Sequence, residues 1–161
     1  MTTIDIQDRE ELIDLLERTP VLASELVADQ SDDDLRKAGP GGSLGAVEVL
    51  SYLRDFEELF LSRLTIIIEA DNPRLEWVED SLWPIERDYV HRDPLAMLQD
   101  FVALRNQTVQ TLLDSPIAVW ERTGRHPALG QVTIRRYVER VVQRDGEYID
   151  QLRAALGETS V

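Results

Sequence analysis

The chain has few side chains that could carry nucleophilic, redox or metal chemistry. Its 161 residues include no Cys and two His, His91 and His126. Thiolate zinc sites, cysteine nucleophiles and iron–sulfur clusters are therefore excluded, and a metal centre on three His cannot be assembled. The only Lys, Lys37, lies in a Gly/Pro-rich stretch, where a buried catalytic amine is not expected. Carboxylates remain for acid–base work, but they are so numerous that chance pairs are common.

The spacing of these residues matches none of the common catalytic or cofactor motifs. No Glu is followed by His three residues on, which excludes the Glu-x-x-His pairs of carboxylate-bridged di-iron bundles. A Gly-x-Gly-x-x-Gly sequence, a phosphate-binding loop and a Gly-x-Ser-x-Gly nucleophile elbow are also missing. His91 and His126 both fall in predicted connections between helices. We expect His91 to be solvated and His126 to pin a turn through its ring nitrogens, with catalysis as the alternative for His126.

The charge balance restricts the classes of partner. The chain has 17 Lys and Arg against 31 Asp and Glu, which gives a net charge of −14. Such a charge argues against binding to nucleic acid and against attraction to anionic lipid. The sequence has neither the basic and apolar start of a secretory signal nor an apolar run of membrane-spanning length. We therefore expect a cytoplasmic protein with no membrane partner.

Helical periodicity shows which elements must position the remaining side chains. Apolar residues recur at spacings of three and four over about 8–27, 44–70, 94–113 and 134–156. Pro20 is expected to kink or restart the first helix, with Thr19 as the cap of its continuation. Ser31 begins a short helix, and Ser43 is the N-cap candidate of the second long one.

The sequence signals for the remaining helix boundaries are stronger. Asp93 followed by Pro94 is a typical helix start, Thr133 is the N-cap candidate of the last helix, and Gly157 is its stop signal. Long connections follow the second and third long helices. The first is expected to be irregular and either to pack by its aromatic side chains or to cover something. The second is expected to hold a turn of helix and an extended pair. The sequence thus predicts an all-α fold, a four-helix bundle in a single domain over 1–161.

Three segments resemble the DinB-like (YfiT/DinB) superfamily, and together they cover nearly the whole chain. The stretch 43–57 reads SLGAVEVLSYLRDFE, close to the second-helix pattern Trp-Ser-x-x-Glu-Val-Leu-x-His-Leu-x-Asp-x-Glu. The stretch 122–134 reads RTGRHPALGQVTI, similar to a turn of the form His-Pro-x-x-Gly-x-x-Thr-Leu. The stretch 144–152 reads RDGEYIDQL, similar to a closing His-Asp-x-x-His-Leu-x-Gln-Ile.

The resemblance implies a four-helix bundle that is often dimeric. It also implies a divalent metal on three His, one from the second helix and two at i and i+4 on the last. The activities it implies are mostly those of transferases and isomerases that use bacillithiol, mycothiol or glutathione.

All three implied ligands are replaced in this chain. The second-helix His position falls on Tyr52, and the last-helix positions fall on Arg144 and Tyr148. A guanidinium cannot lose its proton, and a phenol ligates only as a phenolate, which is costly far below a pKa of about 10. We therefore predict no metal and no cofactor.

Two arrangements could stand at these positions. One is a packed polar network in which Arg144 pairs with Glu48, Asp55 or Glu57, and the tyrosine hydroxyls bond to what remains. The other is a small pocket in which Arg144 binds an anionic group, with the hydroxyls of Tyr52 and Tyr148 as donors.

The function expected from this pattern is a non-catalytic binding or interaction protein, and the resemblance adds a role in bacterial stress or detoxification. We expect a homodimer, with a possible small anionic ligand. Four residues widen the apolar stripe of the second long helix beyond what one core needs: Leu59, Leu61, Ile66 and Ile68. The alternative is a metal-free, thiol-dependent transferase or isomerase in which Arg144 orients an acid substrate and Tyr52 or Tyr148 is the general acid.

Overall fold

Four long helices form the body of the protein. The computed structural model describes residues 6–158, and its helices are α1 Ile6–Val27, α2 Asp32–Arg36, α3 Ala46–Glu69, α4 Trp83–Glu86, α5 Pro94–Asp114 and α6 Ile134–Ala155. α1 packs against α5 and α6, and α3 packs against the same two helices. The consecutive long helices α1 and α3 therefore lie diagonally across the bundle. The predicted all-α four-helix bundle is confirmed.

Side chains that the sequence marks as caps begin two of the long helices. Asp93 Oδ1 accepts hydrogen bonds from the backbone N–H groups of Leu95 and Ala96 at the start of α5. Thr133 Oγ1 accepts one from the N–H of Arg136 at the start of α6. Past the end of α6, Gly157 has φ +73°, a left-handed conformation that glycine adopts without strain.

The start of α3 differs from the prediction. Its N-cap is Gly45, not Ser43, and Glu48 Oε1 accepts a hydrogen bond from the Gly45 N–H at 3.2 Å. A Cβ at residue 45 would lie 2.4 Å from the Lys37 carbonyl oxygen. The close approach of these two backbone segments therefore requires glycine at the cap, which no local sequence rule for Ser caps anticipates.

Pro20 does not restart α1, which runs through it without a break. Leu16 and Ala23, one turn to either side, are fully buried, so tertiary packing outweighs the roughly 3 kcal/mol that an internal Pro costs. Thr19 is not a cap: it is buried, and its hydroxyl donates to Asp145 Oδ2 on α6 at 2.8 Å.

The connection between α3 and α5 is more ordered than predicted. It contains two single turns of 3₁₀-helix, Asp80–Leu82 and Tyr89–His91, on either side of α4. The short helical turns were not predicted, but the packing by aromatic side chains is confirmed: Trp83 and Tyr89 are buried against Tyr52 of α3.

The connection between α5 and α6 holds the predicted turn of helix, Ile117–Glu121, and the predicted extended pair. Strands β1 Thr123–His126 and β2 Gly130–Thr133 are antiparallel, with Thr123 opposite Thr133 and His126 opposite Gly130. Backbone hydrogen bonds from the Leu75 N–H to the Arg125 carbonyl and from the Arg125 N–H to the Pro73 carbonyl join the two connections.

A polar layer divides the interior into two apolar clusters. One cluster contains Leu16, Leu64, Leu112 and Val138, and the other contains Ala23, Leu50, Phe101 and Leu152. Between them along the helices lie four buried polar residues, one from each long helix: Thr19, Glu57, Arg105 and Asp145.

The outer surface of α3 offers a limited apolar area. Of the residues expected at a subunit interface, Ile66 is exposed, whereas Leu59, Leu61 and Ile68 are half-buried, and Ile68 packs against the core. The homodimer stays a prediction. In residues 6–158, no helix combines the length and the apolar character needed to cross a membrane.

Candidate functional site

The three positions that the resemblance equates with metal ligands lie together between α3 and α6. The rings of Tyr52 and Tyr148 are stacked, with centroids 5.7 Å apart. Phe56 stacks on Tyr52 at 5.6 Å, and the guanidinium carbon of Arg144 lies 4.2 Å from the centre of the Phe56 ring. Aromatic rings therefore fill most of the space between these side chains.

These residues do not fit a divalent metal ion. Burial raises the pKa of the Tyr52 phenol, and the charges of Asp80 and Glu48 raise it further. Burial likewise raises the pKa of Tyr148, so both phenols keep their protons at neutral pH, and a guanidinium repels a cation. Within the described part of the chain, no three His, Cys, Asp or Glu side chains are grouped to hold a metal ion.

The carboxylates expected to support Arg144 are engaged elsewhere. Asp55 Oδ2 accepts a hydrogen bond from the Tyr89 hydroxyl at 2.7 Å and lies 3.1 Å from Nη1 of both Arg87 and Arg92. Burial alone would raise the pKa of Asp55, but hydrogen bonds from Tyr89, Arg92 and Arg54 outweigh it and lower the pKa. Asp55 therefore anchors the α3–α5 connection. Glu48 caps α3, as described above.

Glu57 belongs to a buried network centred on Arg105, which the sequence analysis missed. Arg105 Nη1 and Nη2 donate to Asp145 Oδ2 and Oδ1 at 2.8 and 3.0 Å, and Nη2 also donates to Glu57 Oε1 at 2.9 Å. One signal was available: Arg105 comes four residues after Phe101 and seven after Leu98, so it lies on the apolar stripe of α5.

Two spaces adjoin Arg144, and they differ greatly in size. The inner cavity, beside Glu57, Arg105 and Tyr148, has a volume of about 10 Å³, room for a single water molecule. The outer space is a groove of about 270 Å³. Its walls come from α3, the α3–α5 connection, the turn after β1, and α6: Phe56, Leu59, Arg63, Trp77, Val78, Asp80, His126, Pro127, Ala128, Tyr137, Arg140 and Arg144. Of these two spaces beside Arg144, the groove is the one large enough to hold an organic molecule.

The groove is positively charged although the protein is strongly acidic. It collects Arg63, Arg140 and Arg144 against one carboxylate, that of Asp80. None of these arginines has an ion pair with a carboxylate of residues 8–158 within 4.0 Å. Burial raises the pKa of Asp80, against the opposing charge of Arg144.

His126 fixes the turn that forms one wall of the groove. Its Nδ1 accepts hydrogen bonds from the backbone N–H groups of Ala128 and Leu129 at 3.0 and 3.1 Å, so the predicted role in pinning a turn is confirmed. Burial lowers the pKa of His126, and the positive charges of Arg63, Arg144 and Arg140 lower it further. The imidazole is therefore neutral at pH 7.

Comparison with known proteins establishes the fold. No family model and no curated protein matches the sequence. Among solved structures, the chain is similar to YfiT from Bacillus subtilis, described as a probable metal-dependent hydrolase with an unusual four-helix bundle topology. The TM-score is 0.87 at 17% sequence identity, and the match covers 99% of this chain and 93% of that one. The match confirms the predicted four-helix bundle, with the topology of YfiT.

Proposed function

We propose that this chain is a metal-independent binding protein that holds a small organic anion in the groove, with Arg144 as its main charged contact. The observation that carries the proposal is that Arg144 forms no ion pair within 4.0 Å with a carboxylate of residues 8–158. The chain has 31 acidic residues, yet the one in the groove lining, Asp80, acts on Arg144 through its charge and not through an ion pair.

The setting of Arg144 suits an anionic ligand. Its guanidinium lies over Phe56, and a cation–π contact of this kind leaves the N–H groups at the edge of the plane free to donate. An arginine edge matches a carboxylate with two parallel hydrogen bonds. The groove volume of about 270 Å³ is just below the range of about 300–1,000 Å³ typical of drug-sized ligands, which favours a metabolite-sized acid.

A second candidate is the metal-free, thiol-dependent transferase or isomerase. One observation favours it: Tyr148 lies one helical turn from Arg144 on α6, and a phenol beside an arginine could act as a general acid on a bound acid substrate. Turnover of an acid substrate with a low-molecular-weight thiol would support the enzyme, and binding without turnover would support the binding protein.

The test is calorimetric titration with a panel of small carboxylic acids. We expect at least one acid to bind the wild type and Arg144→Met to weaken it about 10- to 100-fold, since a charge-assisted hydrogen bond contributes about 1.5–3 kcal/mol. Arg136→Met, on the same helix but outside the groove-lining set, is the matched control and should bind as the wild type does. Equal affinity of Arg144→Met and wild type would overturn the proposal.

A further inference from the structure

We infer that Arg63 and the Nε2–H group of His126 form a second anion-binding position in the same groove, so that the ligand carries two carboxylate groups. The inference rests on the proposed function of the groove. It adds the class of ligand: a small dicarboxylic acid, held at one end by Arg144 and at the other by Arg63 with His126.

Arg63 is the first reason, because its buried charge forms no ion pair within 4.0 Å with a carboxylate of residues 8–158. The one carboxylate in the groove lining, that of Asp80, acts on Arg63 only through its charge. Arg63 is 7% exposed, and its guanidinium donates to the Tyr137 hydroxyl at 3.0 Å and to the Glu76 backbone carbonyl. These neutral acceptors orient the guanidinium without cancelling its charge. The contrast is Arg105, which is 1% exposed and is paired with two carboxylates. A buried cation without a carboxylate in direct contact is costly, and an anion in the adjoining groove would lower that cost.

The hydrogen bonds of His126 supply the second reason. Because Nδ1 accepts from two backbone N–H groups, it carries no proton, and the proton of the neutral ring is on Nε2. Nε2 lies 3.4 Å from Arg63 Nη1. Both nitrogens carry a proton, so neither can accept a hydrogen bond from the other. Each can donate to an acceptor placed beside the two. One carboxylate could accept from both, and the neutral imidazole adds a donor without adding a charge.

The placement of the arginines indicates two acidic groups rather than one. Arg140 and Arg144 lie four residues apart on one face of α6, whereas Arg63 comes from α3. Cations on two walls of one groove match charges at the two ends of a ligand. A phosphate monoester carries both charges on a single group, so it would neutralise the arginine charge on one wall and leave the arginine charge on the other wall unpaired.

The test compares matched acids in calorimetric titrations at neutral pH. Succinate, glutarate and adipate are each paired with the monocarboxylate of the same chain length: butyrate, valerate and hexanoate. Inorganic phosphate is the single-group dianion. We expect the best dicarboxylate to bind at least about tenfold more tightly than its monocarboxylate partner and than phosphate, the gain of one charge-assisted contact.

His126→Asn separates the two positions. The Asn side-chain oxygen can still accept from the Ala128 and Leu129 N–H groups, but the donor at the Nε2 position is lost. We expect dicarboxylate affinity to fall about tenfold and monocarboxylate affinity, which depends mainly on Arg144, to fall much less. The matched control is His91→Asn, because His91 is exposed and does not line the groove. Arg63→Lys, which keeps the charge but loses the planar fork, should give the same selective loss even if His126→Asn does not fold.

The outcomes distinguish the two proposals. If no carboxylate binds the wild type, the proposed function itself fails. If mono- and dicarboxylates bind equally, or if His126→Asn and Arg63→Lys weaken both classes alike, the second position is refuted while anion binding at Arg144 stands.

Discussion

Replacing Arg105 with Met removes the cation at the centre of the polar layer. The side chain is 1% exposed and donates four hydrogen bonds, to the Leu16 carbonyl, to both oxygens of Asp145 and to Glu57. Methionine matches much of the volume, so the main effect is electrostatic: two carboxylates stay inside the bundle without their cation. Breaking a buried ion pair in this way costs about 3–5 kcal/mol.

Urea unfolding monitored by circular dichroism measures this cost. With a typical slope of about 2 kcal/mol per M, the midpoint should fall by about 1.5–2.5 M. Arg36→Met is the matched control: it removes the exposed pair with Asp32 and should cost less than about 1 kcal/mol.

A triple variant, Glu57→Met with Arg105→Met and Asp145→Leu, tests whether the unpaired carboxylates cause the loss of stability. When both carboxylates are replaced together with the arginine, no charge is left unpaired, and stability should return to within about 1 kcal/mol of the wild type. A loss below about 1 kcal/mol for Arg105→Met alone would refute the argument. So would a triple variant no more stable than Arg105→Met.

Two further predictions concern stability. Tyr89→Phe removes the hydrogen bond to Asp55 and should lower stability at pH 7 by about 1.5–3 kcal/mol. The pKa of Asp55 in the folded protein is lowered from its ordinary value of 3.8, so the stabilisation is present above pH 3.8 and is lost as the pH falls through the folded pKa. In thermal melts from pH 7 to pH 3, the melting temperatures of the wild type and Tyr89→Phe should therefore converge. A constant difference between the two melting temperatures would contradict this. Gly124→Ala places a Cβ 2.9 Å from Cγ1 of the buried Ile67 and should cost about 1–3 kcal/mol. Gly146→Ala lies inside α6, where the added Cβ has no atom within 4 Å, and it should instead stabilise by about 0.5–1 kcal/mol in the same urea titrations. If Gly124→Ala and Gly146→Ala shift the free energy of unfolding in the same direction, the argument fails.

The long helices and most of their caps could be predicted because the information is local. Apolar spacing marks α3, α5 and α6, and Asp93 and Thr133 satisfy N–H groups within their own first turns. The wrong predictions concern positions where contacts between residues far apart in the sequence determine the local structure. Pro20 is tolerated because α1 is packed on both sides of it, and Gly45 caps α3 because Lys37 approaches it.

The candidate site was predictable only in part. The resemblance identified Tyr52, Arg144 and Tyr148, and their use by a ligand stays a prediction. Arg105 could have been noticed as a charge in an apolar stripe, but its partners lie 40 and 48 residues away in sequence. The groove was not predictable, because four segments that are separate in the sequence form its walls.

The position of the groove has a consequence for how this protein can diversify. Recognition lies on the flank of the bundle, while the interior beside Arg144 is closed to anything larger than water. Rim residues such as Trp77, which is 65% exposed, and Pro127 make little contribution to the core. A library that varies these rim positions could therefore change ligand preference at nearly constant stability, which makes this bundle a suitable scaffold for engineering new small-molecule binders.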